Sequence, residues 1–362
     1  MPELAEVFRS FGPAYLERFG EGLPPSHRRA LTDLTSCRTE AMGGHLLQCD
    51  CCGHRHYRYH SCRNRNCPKC RAGDTADWLE KRQSELLPIS YYHLVFTLPE
   101  ALRGLVRRHQ KALLGALMSA AAHSLQTLAV DPRYVGGEMA ILAVLHTWSR
   151  ALMYHSHVHC LVPGGGLAKD GTWHVARKTY LVPVAALSAI FRGKFIALAR
   201  KALPDESFPD TLWASPWVVY CKPALQGSDK ILQYLGRYIH RVAITNRRIK
   251  AIHNGKVSFE FKDSRDCRWK TMTLPAEEFI RRFLQHVLPK GFHKVRYYGL
   301  LSPCKRTCLK QLQYVLAEPA SETDSEGEED SEVGGKPLFC PVCKGGMLVV
   351  IAWLPHPGRS PP

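Results

Sequence analysis

The chain has 362 residues, 45% of them hydrophobic, and a formal net charge of +17. That length and composition support a packed core and two or three domains, and no run reaches the roughly 18 uncharged apolar residues of a membrane span. The opening "MPELAEVFRSFGPAYLERFG" has no basic start followed by an apolar core, so the expectation is a cytoplasmic, nucleoid-associated protein whose cysteines stay reduced unless a metal holds them.

Charge is unevenly spread. Residues Glu318–Glu332 hold eight acidic side chains and no basic one, and the rest of the chain carries 49 basic residues against 24 acidic. A surplus of that size points to a polyanion, most simply nucleic acid.

In chain order, residues 1–36 read as helical, and residues 37–73 are dense in Cys, His and Arg. "YYHLVFTLP" (Tyr91–Pro99) reads as a strand, and the apolar stretch from Glu100 to Ala129 as an amphipathic helix or helix pair. Residues 139–148 and 151–162 are apolar runs separated by only Ser149 and Arg150, which suggests an antiparallel hairpin. A helix follows at 184–203, a strand at "PWVVYCKPAL", a helix from Ser228 and a hairpin of "KVSFEFKD" with "WKTMTL". The boundaries expected are a helical and zinc-binding N-terminus over 1–75, a catalytic domain over 88–317, a disordered acidic linker over 318–336 and a short CxxC tail over 337–362. Mixed strands and helices imply an α+β fold with a largely antiparallel sheet flanked by helices, preceded by a small zinc-ribbon-like domain.

The densest motif is "CDCCGHRHYRYHSCRNRNCPKC". Cys49 with Cys52, and Cys67 with Cys70, have the C-x2-C spacing of a closed tetrahedral zinc site, with Cys51 and Cys62 as spare thiols and His54, His56 and His60 as substitutes for one ligand. Arg63 and Arg65, with the neighbouring tyrosines, would meet phosphates and bases. A second pair, Cys340 and Cys343, is half a site that Cys304 and Cys308 could complete. In "YHSHVHCLV", His155, His157 and His159 alternate and so face one side of a strand, as an open metal site requires. In "SDKILQYLGRYIHRV", Tyr234 and Tyr238 stand one helical turn apart with Arg237 and Arg241 beside them, and a tyrosine oxygen is a competent nucleophile at phosphorus.

Taken together, "CDCCGH…HSCRNRNCPKC", "YYHLVFTLPE", "LHTW", "HSHVHCLVPGGGL", "FRGKF", "YLGRYIHRVAITNRRI" and "GFHKVRYYGLL" resemble the two-tyrosine, HUH-type rolling-circle transposases of bacterial insertion sequences, over nearly the whole chain. The resemblance implies an HUH-nuclease-like sheet in which His157 and His159 flank Val158 and hold Mg2+ or Mn2+. His155 is the first choice for a third ligand, with His240 and His146 as others. It implies that Tyr234 and Tyr238 are nucleophiles that cut single-stranded DNA through a 5′-phosphotyrosine link, and that structural Zn2+ sits on the N-terminal cysteines. Lys222, Arg237 and Arg241 would contact phosphate. Two other readings stay open: a non-catalytic zinc-ribbon DNA-binding protein or inactive transposase remnant, and a metal hydrolase in which the tyrosines are inert.

Overall fold

A computed structural model describes residues 2–70, 85–176, 181–223, 236, 242–263, 265–317 and 338–356. Seven α-helices are described: α1 (Leu4–Phe19), α2 (Pro25–Ser36), α3 (Arg103–Arg108), α4 (Gln110–Ala129), α5 (Val184–Ala202), α6 (Ala276–Leu284) and α7 (Arg306–Leu316). The strands are β1 (Gly44–Cys49), β2 (Arg55–Tyr59), β3 (Tyr91–Thr97), β4 (Ala140–Trp148), β5 (Tyr154–Pro163), β6 (Gly165–Leu167), β7 (Trp173–Val175), β8 (Val219–Pro223), β9 (Ile249–His253), β10 (Lys256–Lys262), β11 (Trp269–Pro275), β12 (Val295–Gly299) and β13 (Leu348–Leu354). The α+β class expected from the sequence is what the chain adopts, with antiparallel pairing throughout its described ladders.

The five-stranded sheet runs β12-β4-β5-β3-β8, which puts β5 at its centre. Alternation along the strands sorts the side chains. Leu94, Phe96, Ile141, Ala143, Leu145, Val158 and Cys160 enter one large core with α4 and α5, while His93, His146, His157 and His159 fall to the opposite face. Helix α4 is long and apolar enough to cross a membrane, but 67% of its apolar window is buried inside the fold, and α4 packs against α5 and the sheet as a core helix.

A second core joins distant parts of the chain. Helix α6 turns Ala276, Phe279, Ile280, Phe283 and Leu284 inward, the i, i+3, i+4, i+7, i+8 stripe of an amphipathic helix. They meet Leu4, Val7, Phe8, Ala30, Leu31 and Leu34 of the N-terminal helices, and Val257 and Phe259 of the β11-β10-β9 sheet. Phe8 and Phe283 pack edge to face with centroids 5.3 Å apart, the arrangement the ring quadrupoles favour. The N-terminal helices therefore share a core with residues 243–287 and do not form a free-standing module.

The hairpin of β4 and β5 is present, but its turn is longer than the two residues expected. Ser149 N–H donates to Met153 O at 2.9 Å, and Leu152 turns the chain at φ +58°. The pairing shifts between His146/His157 and Trp148/Tyr154, so β5 carries one residue more than β4 there, a bulge that re-aims the local side chains. The C-terminal segment is a strand and not merely a tail: β13 pairs along β1, from Gly44 opposite Leu354 to Cys49 opposite Leu348.

Candidate metal centres and nucleic-acid surface

The histidine site assembles across two strands. His146 on β4 lies directly opposite His157 on β5, and direct cross-strand partners share a face. A ligand nitrogen from each of His146, His157 and His159 lies within 4.8 Å of the others, with the His146 and His159 rings 4.6 Å apart. Two contacts orient the rings. His157 Nδ1 lies 2.8 Å from His155 O. A carbonyl can only accept, so Nδ1 carries the proton and Nε2 keeps a lone pair for a cation. His159 Nδ1 shares a proton with His93 Nε2 across 2.8 Å, and the two rings stack nearly parallel. Burial, reinforced by Lys222, holds His93 down to about 4, so it is neutral. Hydrogen-bonded partners of this kind fix ligand tautomer and orientation. Three imidazoles converging on one point fit a divalent cation with open coordination positions.

The third member is His146, not His155. Residue 155 sits at the bulge and lines a small hollow with Pro99, Glu100 and Arg103, where Arg103 Nη1 pairs with Glu100 Oε1 at 2.7 Å. His146, a lesser candidate from the sequence, is brought to the site by hairpin register. Tyr234, Tyr238, Arg237, Arg241 and His240 lie outside the described residues. Lys222 is exposed on β8 opposite His93, and so on the histidine face, with Nζ 5.8 Å from the centroid of the Tyr220 ring.

The expected cysteine quartet is divided. Cys67 and Cys70 join Cys37 and Cys62, while Cys49 and Cys52 join Cys340 and Cys343. In the first group Cys37 Sγ is 3.5 Å from Cys70 Sγ and 3.6 Å from Cys67 Sγ, and Cys62 Sγ is 3.6 Å from Cys70 Sγ. A tetrahedron of thiolates about 2.3 Å from zinc has edges of about 3.8 Å. Hydrogen bonds from Cys62 and then Cys67 pull the Cys37 thiol down, toward the thiolate form that binds metal. These cysteines support a structural zinc. Cys62 thus joins a four-thiol group and is no spare thiol, and the same group includes Cys37, whose isolation in sequence conceals it. Cys51, His54, His56 and His60 belong to neither group, and Cys304 and Cys308 do not meet Cys340.

The basic residues sort by environment. Arg63 is exposed, as phosphate contact requires. Arg65 instead turns inward: Nη1 donates to Phe292 O at 2.6 Å, and Nη2 to Leu288 O at 2.9 Å and Pro289 O at 3.0 Å. Lys69 pairs with Glu3 at 2.6 Å. Strand β2 carries Arg55 and Arg58 beside Tyr57 and Tyr59, whose rings stack 6.2 Å apart, an aromatic and cationic surface suited to bases and backbone.

Comparison with known proteins places these features in context. The family model Y2_Tnp, described as "Putative transposase", matches residues 140–308, and a "Transposase zinc-binding domain" model matches residues 7–98. The chain is 41% identical to "Putative transposase y4qJ" of Sinorhizobium fredii, over 97% of this chain and 95% of the relative. It is 28% identical to "Transposase for insertion sequence element IS801" of Pseudomonas savastanoi pv. phaseolicola, over 81% of this chain and 74% of that one. No solved structure matches.

Proposed function

This chain belongs to the two-tyrosine transposases of bacterial insertion sequences that carry a transposase zinc-binding domain, and we propose that it nicks and rejoins single-stranded DNA through a 5′-phosphotyrosine intermediate during rolling-circle transposition. DNA is the substrate the family implies. The observation that carries the finer reading is the convergence of His146, His157 and His159 at the centre of the sheet, with the spare nitrogen of His157 tied to a carbonyl.

These imidazoles would hold Mg2+ or Mn2+, which when bound supplies positive charge beside the scissile phosphate. Their role is to fix that charge in place, and His93 positions His159. Lys222 and Arg63, with Arg237 and Arg241, contact the DNA backbone. Tyr234 and Tyr238 are the proposed nucleophiles, supported by their spacing and by the family. A tyrosine oxygen attacks phosphorus and gives up its phenolic proton. The bond from phosphorus to the 3′ oxygen breaks, and that oxygen leaves as a hydroxyl after taking a proton. The new ester keeps the phosphodiester energy, so a later 3′-hydroxyl can reverse the step without ATP. A second tyrosine permits a second transfer.

The test incubates the protein with end-labelled single-stranded DNA from the element's own terminus, with Mn2+ present or chelated, and resolves the products on denaturing gels. The expected result is a protein–DNA adduct that needs metal and disappears in the Tyr234→Phe/Tyr238→Phe double variant. Cleavage retained in that variant would instead show a metal hydrolase. Binding without any adduct would show a DNA-binding protein that does not transfer strands.

A further inference from the structure

The second cysteine group is assigned no role by the strand-transfer chemistry, and half of it comes from the far end of the chain. Each half is a tight turn. On the N-terminal side Gly53 N–H donates to Cys49 O at 3.1 Å, with Gly53 at φ +72°. On the C-terminal side Lys344 N–H donates to Cys340 O at 3.0 Å and Cys340 N–H to Gly346 O at 2.8 Å, with Lys344 at φ +58°. Asp50 locks the turns together: its N–H donates to Met347 O at 3.1 Å, and its Oδ1 accepts from Met347 N–H at 2.8 Å.

The sulfurs follow the same geometry as the first group. Cys49 Sγ lies 3.6 Å from Cys343 Sγ, and Cys52 Sγ lies 3.7 Å from Cys340 Sγ. Those separations match the edge of about 3.8 Å in a zinc tetrathiolate and are far from the roughly 2.05 Å of a disulfide. Backbone N–H groups already point at the sulfurs: Cys51 and Cys52 at Cys49 Sγ, at 3.4 and 3.5 Å, and Gly346 at Cys343 Sγ, at 3.4 Å. Such donors stabilise thiolates. Gly346 has no room for a side chain, because a Cβ there would stand 2.5 Å from Cys49 Sγ and 2.7 Å from Asp50 Oδ1.

We infer that Cys49, Cys52, Cys340 and Cys343 form a second zinc site, separate from that of Cys37, Cys62, Cys67 and Cys70, which staples the C-terminal strand β13 onto β1. Four thiolates leave no open position, so the site is structural. The acidic stretch 318–332 is thereby bounded on both sides, by α7 before it and by the stapled turn after it. Cys52 is exposed and Cys343 half-buried, whereas Cys37, Cys67 and Cys70 are buried. The second zinc is therefore the one that chelators and thiol reagents reach first.

The test measures metal content and uses no activity. In the full-length protein substituted with cobalt, two four-cysteine sites give a thiolate-to-cobalt absorption that falls by half in Cys340→Ser/Cys343→Ser, and zinc content falls by one ion per chain. The histidine centre has no sulfur and does not enter this band. Gly346→Ala is expected to lose the same ion with all cysteines intact, while Gly345→Ala, whose Cβ would meet only Cys343 O at 3.9 Å, keeps it. Mass spectrometry after brief alkylation should show Cys340 and Cys343 protected in the zinc protein and labelled after mild chelation. Unchanged zinc and cobalt absorption in the double serine variant, or Cys340 and Cys343 labelled as fast with zinc as without, would overturn the assignment.

Discussion

Arg65 separates a reading of charge from a reading of geometry. Its guanidinium makes three hydrogen bonds to the carbonyls of residues 288, 289 and 292, and so ties the cysteine-rich segment to the turn after α6. A hydrogen bond from a charged donor contributes about 1.5–3 kcal/mol, and water replaces part of that when the acceptors are only part-buried. Removing the fork in Arg65→Ala should therefore cost about 2–4 kcal/mol. Arg65→Lys should recover less than half of this, because one ammonium cannot span three diverging carbonyls. For a protein of this size the alanine variant should melt about 3–5 °C lower, which differential scanning calorimetry reads directly. Single-stranded DNA affinity, measured across salt concentrations, should keep its wild-type slope. Arg63→Ala should do the reverse, melting within about 0.5 kcal/mol of wild type and losing about 0.7 from the salt slope, the value of one phosphate contact to a single strand. If Arg65→Ala melts normally and instead loses that slope, the inward geometry is not what residue 65 is for.

His146→Ala should reduce metal-dependent nicking by at least about 100-fold, while His155→Ala should stay within about threefold, as gel assays of initial rate would show. His93→Leu removes the partner of His159 and should weaken metal binding by about 10- to 100-fold, measured by titrating Mn2+ against nicking rate. Burial holds His286, which lies 3.3 Å from Thr147 Oγ1, down to about 4 from its ordinary 6.5. The unfolded chain then takes up a proton between those values that the native state refuses, so stability falls on acidification, by about 3 kcal/mol between about pH 8 and pH 4; urea midpoints should lose that component in His286→Gln.

Features governed by short periods were legible in the sequence. Alternating histidines mark one face of β5, and the apolar stripe of α5 and the β10–β11 hairpin follow equally local rules. What the sequence left open, such as the choice of His146 over His155, depends on register and on long-range closure. His146 reaches the metal cluster only because it pairs with His157 beside a bulge, and a one-residue slip would have pointed it into the core. C-x2-C spacing identifies a half-site but not its other half, which here lies 291 residues further on, between Cys49 and Cys340. The apolar run "LVVIAWL" looks like a tail until β1 supplies its neighbour.

That pairing also sets an order of assembly. Strand β1 leaves the ribosome long before β13, the strand that covers its second edge. Until then β1 offers an open edge and Cys49 and Cys52 hold half a coordination sphere. A chain interrupted anywhere before Cys340 would therefore carry Cys49 and Cys52 without the two thiols that complete their group.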